Sequence, residues 1–222
     1  MAQHKHYLLL LGFLLPALAA SAQEFSLGVT LGASYPSVEN FDFANDDGLD
    51  GLGIHGGVLA QYRFGQLGGT ASALYAFDQF SGVVAGFDTD YYYSRLVLPI
   101  SFKYYIGEGF NFQLGASLGI LLTAESETTV ESQIATRYDI SLTTSSTDFG
   151  GFFGFGYDAP VGISFNLTYQ VGATDFPSIG ERLSGPALTI GYYIFKSGSV
   201  SYKTPTIKGK KWKPGRSRSK SF

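Results

Sequence analysis

The residues of this chain that could do chemistry are few. Beyond residue 22 there is one histidine, His55, and the cationic side chains up to residue 195 include Arg63, Arg95 and Lys103. Asp148 and Asp158 are the acids that share their setting. His55 could act as a general base, which requires a nucleophile within hydrogen-bond reach. The other five could line a charged passage, or they could neutralise one another, since charge taken out of water needs a partner. The segment from Gly51 through Gly53 to Gly56 spells G-x-G-x-x-G, yet no helix pattern follows it, so the dinucleotide cradle has no helix N-terminus to complete it. These glycines are read as packing and curvature positions within a strand. There is no cysteine, hence no disulfide, no thiol nucleophile and no lipid-bearing Cys.

The elements that carry these residues show two-residue periodicity. In YYYSRLVLPISFKYYIGEGFNFQLGASLGILLT, residues 91–123, Tyr92, Leu96, Leu98, Ile100, Phe102 and Tyr104 share one parity, with Ser94 breaking the run. After a Gly-containing turn at 106–109, Phe110, Phe112, Leu114, Ala116, Leu118, Ile120 and Leu122 do the same. Period two means strands, and the short link means a hairpin. The opposite parity carries Arg95, Ser101, Lys103, Asn111, Gln113, Gly115, Ser117 and Gly119. Runs of this length match the roughly nine to eleven residues of a tilted strand crossing a bilayer.

The same alternation recurs along the chain. Strands are expected near 25–35, 51–64, 67–77, 91–105, 110–123, 147–157, 161–172 and 186–195, the clearest being VGISFNLTYQVG. Long links at 36–50, 78–90, 124–146 and around Pro177 alternate with tight turns. That is the rhythm of an eight-stranded antiparallel transmembrane β-barrel. The apolar parity faces lipid and the small, polar parity faces the lumen, so His55, Arg63, Arg95, Lys103, Asp148 and Asp158 point inward. Arg95 and Asp148 fall near the long-loop ends of their strands; Arg63, Lys103 and Asp158 fall near the short-turn ends. An interior ion network is expected rather than a selective pore, because eight strands enclose a space that side chains can fill.

Composition agrees. Charged residues make up 15% of the chain, against about 25% for a soluble domain. The alternative is a soluble lipocalin-type barrel with its apolar face inward, and that exterior would meet water almost without charge. Residues 1–22 read as a cleaved signal peptide: Lys5, an apolar core from Tyr7 to Leu18, and Ala20-Ser21-Ala22. Residues 23–195 form the barrel. Residues 196–222 form a basic tail, expected to be disordered, with nine Lys and Arg and no acid, leaving six cations against all 18 acids in the rest.

Within the tail, Lys208, Lys210, Lys211, Lys213, Arg216, Arg218 and Lys220 are candidate interaction residues for anionic headgroups or an acidic partner. Export and a barrel together place the protein in an outer membrane, where nucleic acid is not an expected partner. An even strand count puts both termini in the periplasm. The first long link gathers Glu39, Asp42, Asp46, Asp47 and Asp50 without EF-hand spacing. It is read as a solvated loop able to meet surface lipopolysaccharide through divalent cations.

The motifs FSLGVTLGASY, GVLAQYRFG and LPISFKYYIG, after a signal ending Ala-Ser-Ala-Gln, resemble the PorT-like outer-membrane β-barrel family over about residues 25–195. The resemblance implies an envelope component or a partner of a secretion or surface assembly. It departs from the usual pattern in one respect: the last strand, ending IGYYIF, is followed by the tail. The expectation is a monomeric, non-enzymatic barrel without cofactor or metal. The alternatives are a small passive channel and a lipid-modifying enzyme using His55.

Overall fold

A computed structural model describes residues 23–38, 49–84, 87–129, 137–140, 147–174 and 182–198. These form ten strands: β1 (Gln23–Ser34), β2 (Ser37–Val38), β3 (Leu49–Phe64), β4 (Leu67–Val84), β5 (Phe87–Ile106), β6 (Phe110–Thr129), β7 (Arg137–Asp139), β8 (Thr147–Asp158), β9 (Ile163–Gly172) and β10 (Leu183–Ser197). Eight of them close a ring in the order β1, β3, β4, β5, β6, β8, β9, β10, with β10 returning to β1. Every pairing in the ring is antiparallel. Closure leaves no open edge, the condition for strands in hydrocarbon, where an unpaired backbone group has no water to turn to. The short strand β2 joins β10 to β3 at the loop end, and β7 adds to β6 there.

The two parities separate as the alternation requires. Leu52, Ile54, Val58 and Phe64 of β3 lie exposed on the outside, as do Ile100, Phe102 and Tyr104 of β5 and Phe165, Leu167 and Tyr169 of β9. Gln61, Arg63, Ser101, Lys103, Asn111 and Ser164 are buried within. The tight turns gather at one end. Gly65 takes the left-handed conformation (φ 56°) that a two-residue hairpin turn demands. Gln23 pairs with Phe64 and Phe25 with Ser197, so the described termini of the barrel lie at this turn end.

Of the expected long links, 78–90 is strand over every described residue, and 124–146 opens with six residues of strand. The β4–β5 hairpin continues in register up to Val84 and Phe87, and β6 continues to Thr129. Residues 78–90 look like loop because they are polar, but above the bilayer an outward residue has no lipid to face and a strand need not be greasy. Twenty residues at about 3.3 Å each, tilted near 40°, rise about 50 Å. That exceeds the roughly 25 Å apolar band of such barrels. The sheet from β4 to β7 therefore stands clear of the band at the loop end.

The Ser94 interruption coincides with a bulge in the β5–β6 pairing: Ser94 faces Thr123 while Arg95 faces Leu121. A bulge re-aims the side chains beyond it. The extra residue is Leu122 of β6, so above it Ala124 turns inward beside Tyr93, which keeps the inward parity of Arg95, and the two meet Phe80 and Leu183 in a buried apolar cluster. Leu183 belongs to β10, on the opposite wall, so this cluster spans part of the mouth. Tyr91, Leu121 and Ile140 pack against it.

Candidate functional site

The inward charges fall into two groups, one near each end of the lumen. At the loop end Arg95 donates to Asp78 Oδ2 through Nε at 3.0 Å and Nη2 at 2.6 Å, and to Asp148 Oδ2 through Nη1 at 3.4 Å. Asp78 is 2% exposed, while the Asp148 side chain is 19% exposed. Arg95 and Asp148, both near the long-loop ends of their strands, approach one another, but the tighter partner is Asp78, within the 78–90 link expected to be loop. Its signal was available: Asp78 continues the inward parity of Leu74 and Ala76.

At the turn end Lys103 Nζ donates to Gln61 Oε1 at 2.9 Å and lies 3.4 Å from both Asp158 oxygens. Asp158 Oδ2 also accepts from the Tyr105 hydroxyl at 2.6 Å and Gln61 Nε2 at 3.1 Å, while Tyr193 donates to Gln61 Oε1 at 2.7 Å. Arg63 lies with its guanidinium carbon 3.4 Å above the Tyr105 ring and donates to the Gly65 and Glu108 carbonyls. A cation over an aromatic face in a desolvated setting is a favourable contact. Gln61, Tyr105 and Tyr193 escaped sequence reasoning as network members because their types are ordinary in strands.

His55 lies in the lumen with Nε2 3.0 Å from Thr189 Oγ1. Among the described residues, no set of three or more His, Cys, Asp and Glu is placed to hold a metal ion. Two glycines of the G-x-G-x-x-G segment, Gly51 and Gly53, have a packing reason. A Cβ at Gly53 would collide with Asp78 Oδ1, and one at Gly51 would come within 2.7 Å of the Phe80 ring. Gly119 likewise seats the Asp148 carboxylate, and Gly115 the Phe152 ring. Small residues on one strand receive the large inward side chains of the next. The acids at 39–47, the signal segment and the tail cations Lys208, Lys210, Lys211, Lys213, Arg216, Arg218 and Lys220 lie outside the described residues.

A closed antiparallel ring of eight strands, apolar without and polar within, agrees with what sequence comparison finds. The model of the outer membrane protein beta-barrel domain matches residues 7–195. The chain belongs to this family. It is an outer-membrane β-barrel protein. Among solved structures, Neisserial surface protein A is similar at 11% identity, covering 76% of this chain and 97% of its own, with a TM-score of 0.51. Ail of Yersinia pestis, crystallised with the heparin analogue sucrose octasulfate, is 15% identical over 78% of this chain and 99% of its own, with a TM-score of 0.46. At these identities the likeness is one of fold. No curated protein matches the chain in sequence.

Proposed function

We propose that this protein is a non-enzymatic envelope component that works through contacts made outside its barrel, as a structural member or partner of a secretion or surface assembly of PorT-like type. The observation that carries the reading is that the charged groups of the lumen engage one another. Arg95 holds Asp78 and Asp148, and Lys103 holds Asp158. Contact chemistry is then left to the sheet that rises beyond the apolar band and to the tail. In this reading the turn end and both termini are periplasmic, and the loop end meets lipopolysaccharide. The tail cations Lys208, Lys210, Lys211 and Lys213 reach anionic headgroups or an acidic periplasmic protein. The barrel acts as a monomer.

The second reading, a small passive channel, draws on a cavity in the lumen between Lys103 and Arg95. Against it stands the buried layer of Lys103, Tyr105 and Asn111 at the turn end, each no more than 2% exposed. A lipid-modifying enzyme needs its base where lipid can reach, whereas His55 and Thr189 meet inside the ring.

The test places a photo-crosslinking residue in cells at Tyr138, 58% exposed on β7, at Lys211, and at lipid-facing Ile100 as control. Protein adducts at Tyr138 or Lys211 and absent at Ile100 are expected, together with silence in planar bilayers. Steady conductance without adducts would replace this reading with the channel.

A further inference from the structure

No described side chain fills the lumen between the two ion groups. A cavity of about 130 Å³ reaches from Lys103 and Tyr193 up to Arg95, Asp148 and Leu183, and its rim at the loop end includes Phe149, Gly172 and Thr174. Thr174 is exposed at that rim, whereas Lys103, Tyr105 and Asn111 close the other end. The space is a blind pocket. About 10–15 Å³ suffices for one water, so it has room for a small organic molecule.

What faces this space is mostly neutral and able both to donate and to accept. Ser72, Ser101, Ser117 and Gln170 line it, and none of their side chains has a hydrogen bond among the described residues. Gln113 Nε2 donates to Asn166 Oδ1 at 3.4 Å, which leaves further hydrogen-bonding capacity on both amides. Leu59, Leu74 and Phe152 supply apolar wall between them. The cations at either end, Arg95 and Lys103, already hold carboxylates, so an anionic ligand would enter without a partner for its own charge. An apolar ligand would strand the hydroxyls and the Gln170 amide, and buried polar groups in native proteins are hydrogen-bonded.

We infer that this cavity is a binding pocket for a small neutral polyol, entered from the loop end and held by Ser101, Ser117, Gln113, Asn166 and Gln170 beside the Phe152 ring. Hydroxyl groups of the ligand exchange donors and acceptors with the serines and amides, and its carbon skeleton lies on the apolar wall.

The experiment titrates the ¹⁵N-labelled full chain in detergent micelles with erythritol and, separately, with its carboxylate analogue erythronate. Saturable amide shifts confined to the neighbourhood of Ser101, Ser117, Asn166 and Gln170 are expected, with erythronate at least tenfold weaker. Ser117→Ala and Gln170→Leu, checked for retained heat-dependent gel migration, are each expected to weaken erythritol binding roughly three- to tenfold, the worth of one hydrogen bond. A response linear in erythritol, equal binding of erythronate, or variants that fold yet bind unchanged would each overturn the assignment. A linear response would leave the cavity to water alone.

Discussion

Removing the Asp78 carboxylate separates a strong lumen contact from a weak one sharing the same cation. Asp78 is almost wholly buried and accepts two bonds from Arg95, at 3.0 and 2.6 Å, whereas Asp148 accepts one at 3.4 Å from a position 19% exposed. Asp78→Ala strands a buried guanidinium, a change that costs about 3–5 kcal/mol. Asp148 remains within reach and offsets part of this, so about 3 kcal/mol is expected. Asp148→Ala leaves the Asp78 pair intact and gives up one long, partly hydrated bond, about 1 kcal/mol. The double variant Asp78→Ala, Arg95→Met removes the buried charge and its buried partner, leaves only the partly hydrated Asp148 carboxylate unpaired, and should recover part of the loss. Urea unfolding in phospholipid vesicles, followed by heat-dependent gel migration, measures all three. Equal losses at Asp78 and Asp148, or no recovery in the double variant, would refute the ranking by distance and burial.

Gly53→Ala should cost part of what Asp78→Ala costs in the same assay, because its methyl group displaces Asp78 Oδ1 and so disturbs the carboxylate whose Oδ2 Arg95 holds. Ile100, 65% exposed near the middle of the apolar run of β5, tests the facing of the strands: Ile100→Lys should cost about 2–4 kcal/mol in vesicles, and a neutral outcome would mean that this face does not meet lipid. Phe80→Ala opens the apolar cluster at the mouth and should cost about 3–5 kcal/mol, with faster amide exchange at Tyr93 and Ala124 than at Ser101. Uniform exchange would show that the cluster does not shield its part of the mouth.

The barrel was legible because lipid and lumen ask opposite things of neighbouring residues, so each strand states its facing at every position. That signal ends where the bilayer ends. Asp78, Gln79 and Ser81 read as loop although they are paired strand, and with them went the closest partner of Arg95. Ser94 marked the bulge without revealing its effect, since only the pairing of Arg95 with Leu121 shows that Ala124 turns inward, against the parity of residues 111–119. The grouping of Lys103 with Asp158 followed from strand position. The roles of Gln61, Tyr105 and Tyr193 depended on distances across the ring, which no local pattern carries.

The glycine seats also act as a ruler for assembly. Asp148 lies opposite Gly119 and Phe152 opposite Gly115. A slip of two residues keeps every side chain on its proper face, so lipid alone would not reject it. It would, however, bring Phe152 against Ser117 or Gln113. On β3 and β4, one direction of slip drives Asp78 toward His55, away from the hollow at Gly53. Hydrophobic alternation chooses the face, and the sizes of the lumen residues choose the alignment. The pattern of large against absent side chains is thus a combination that neighbouring staves must match before the ring can shut.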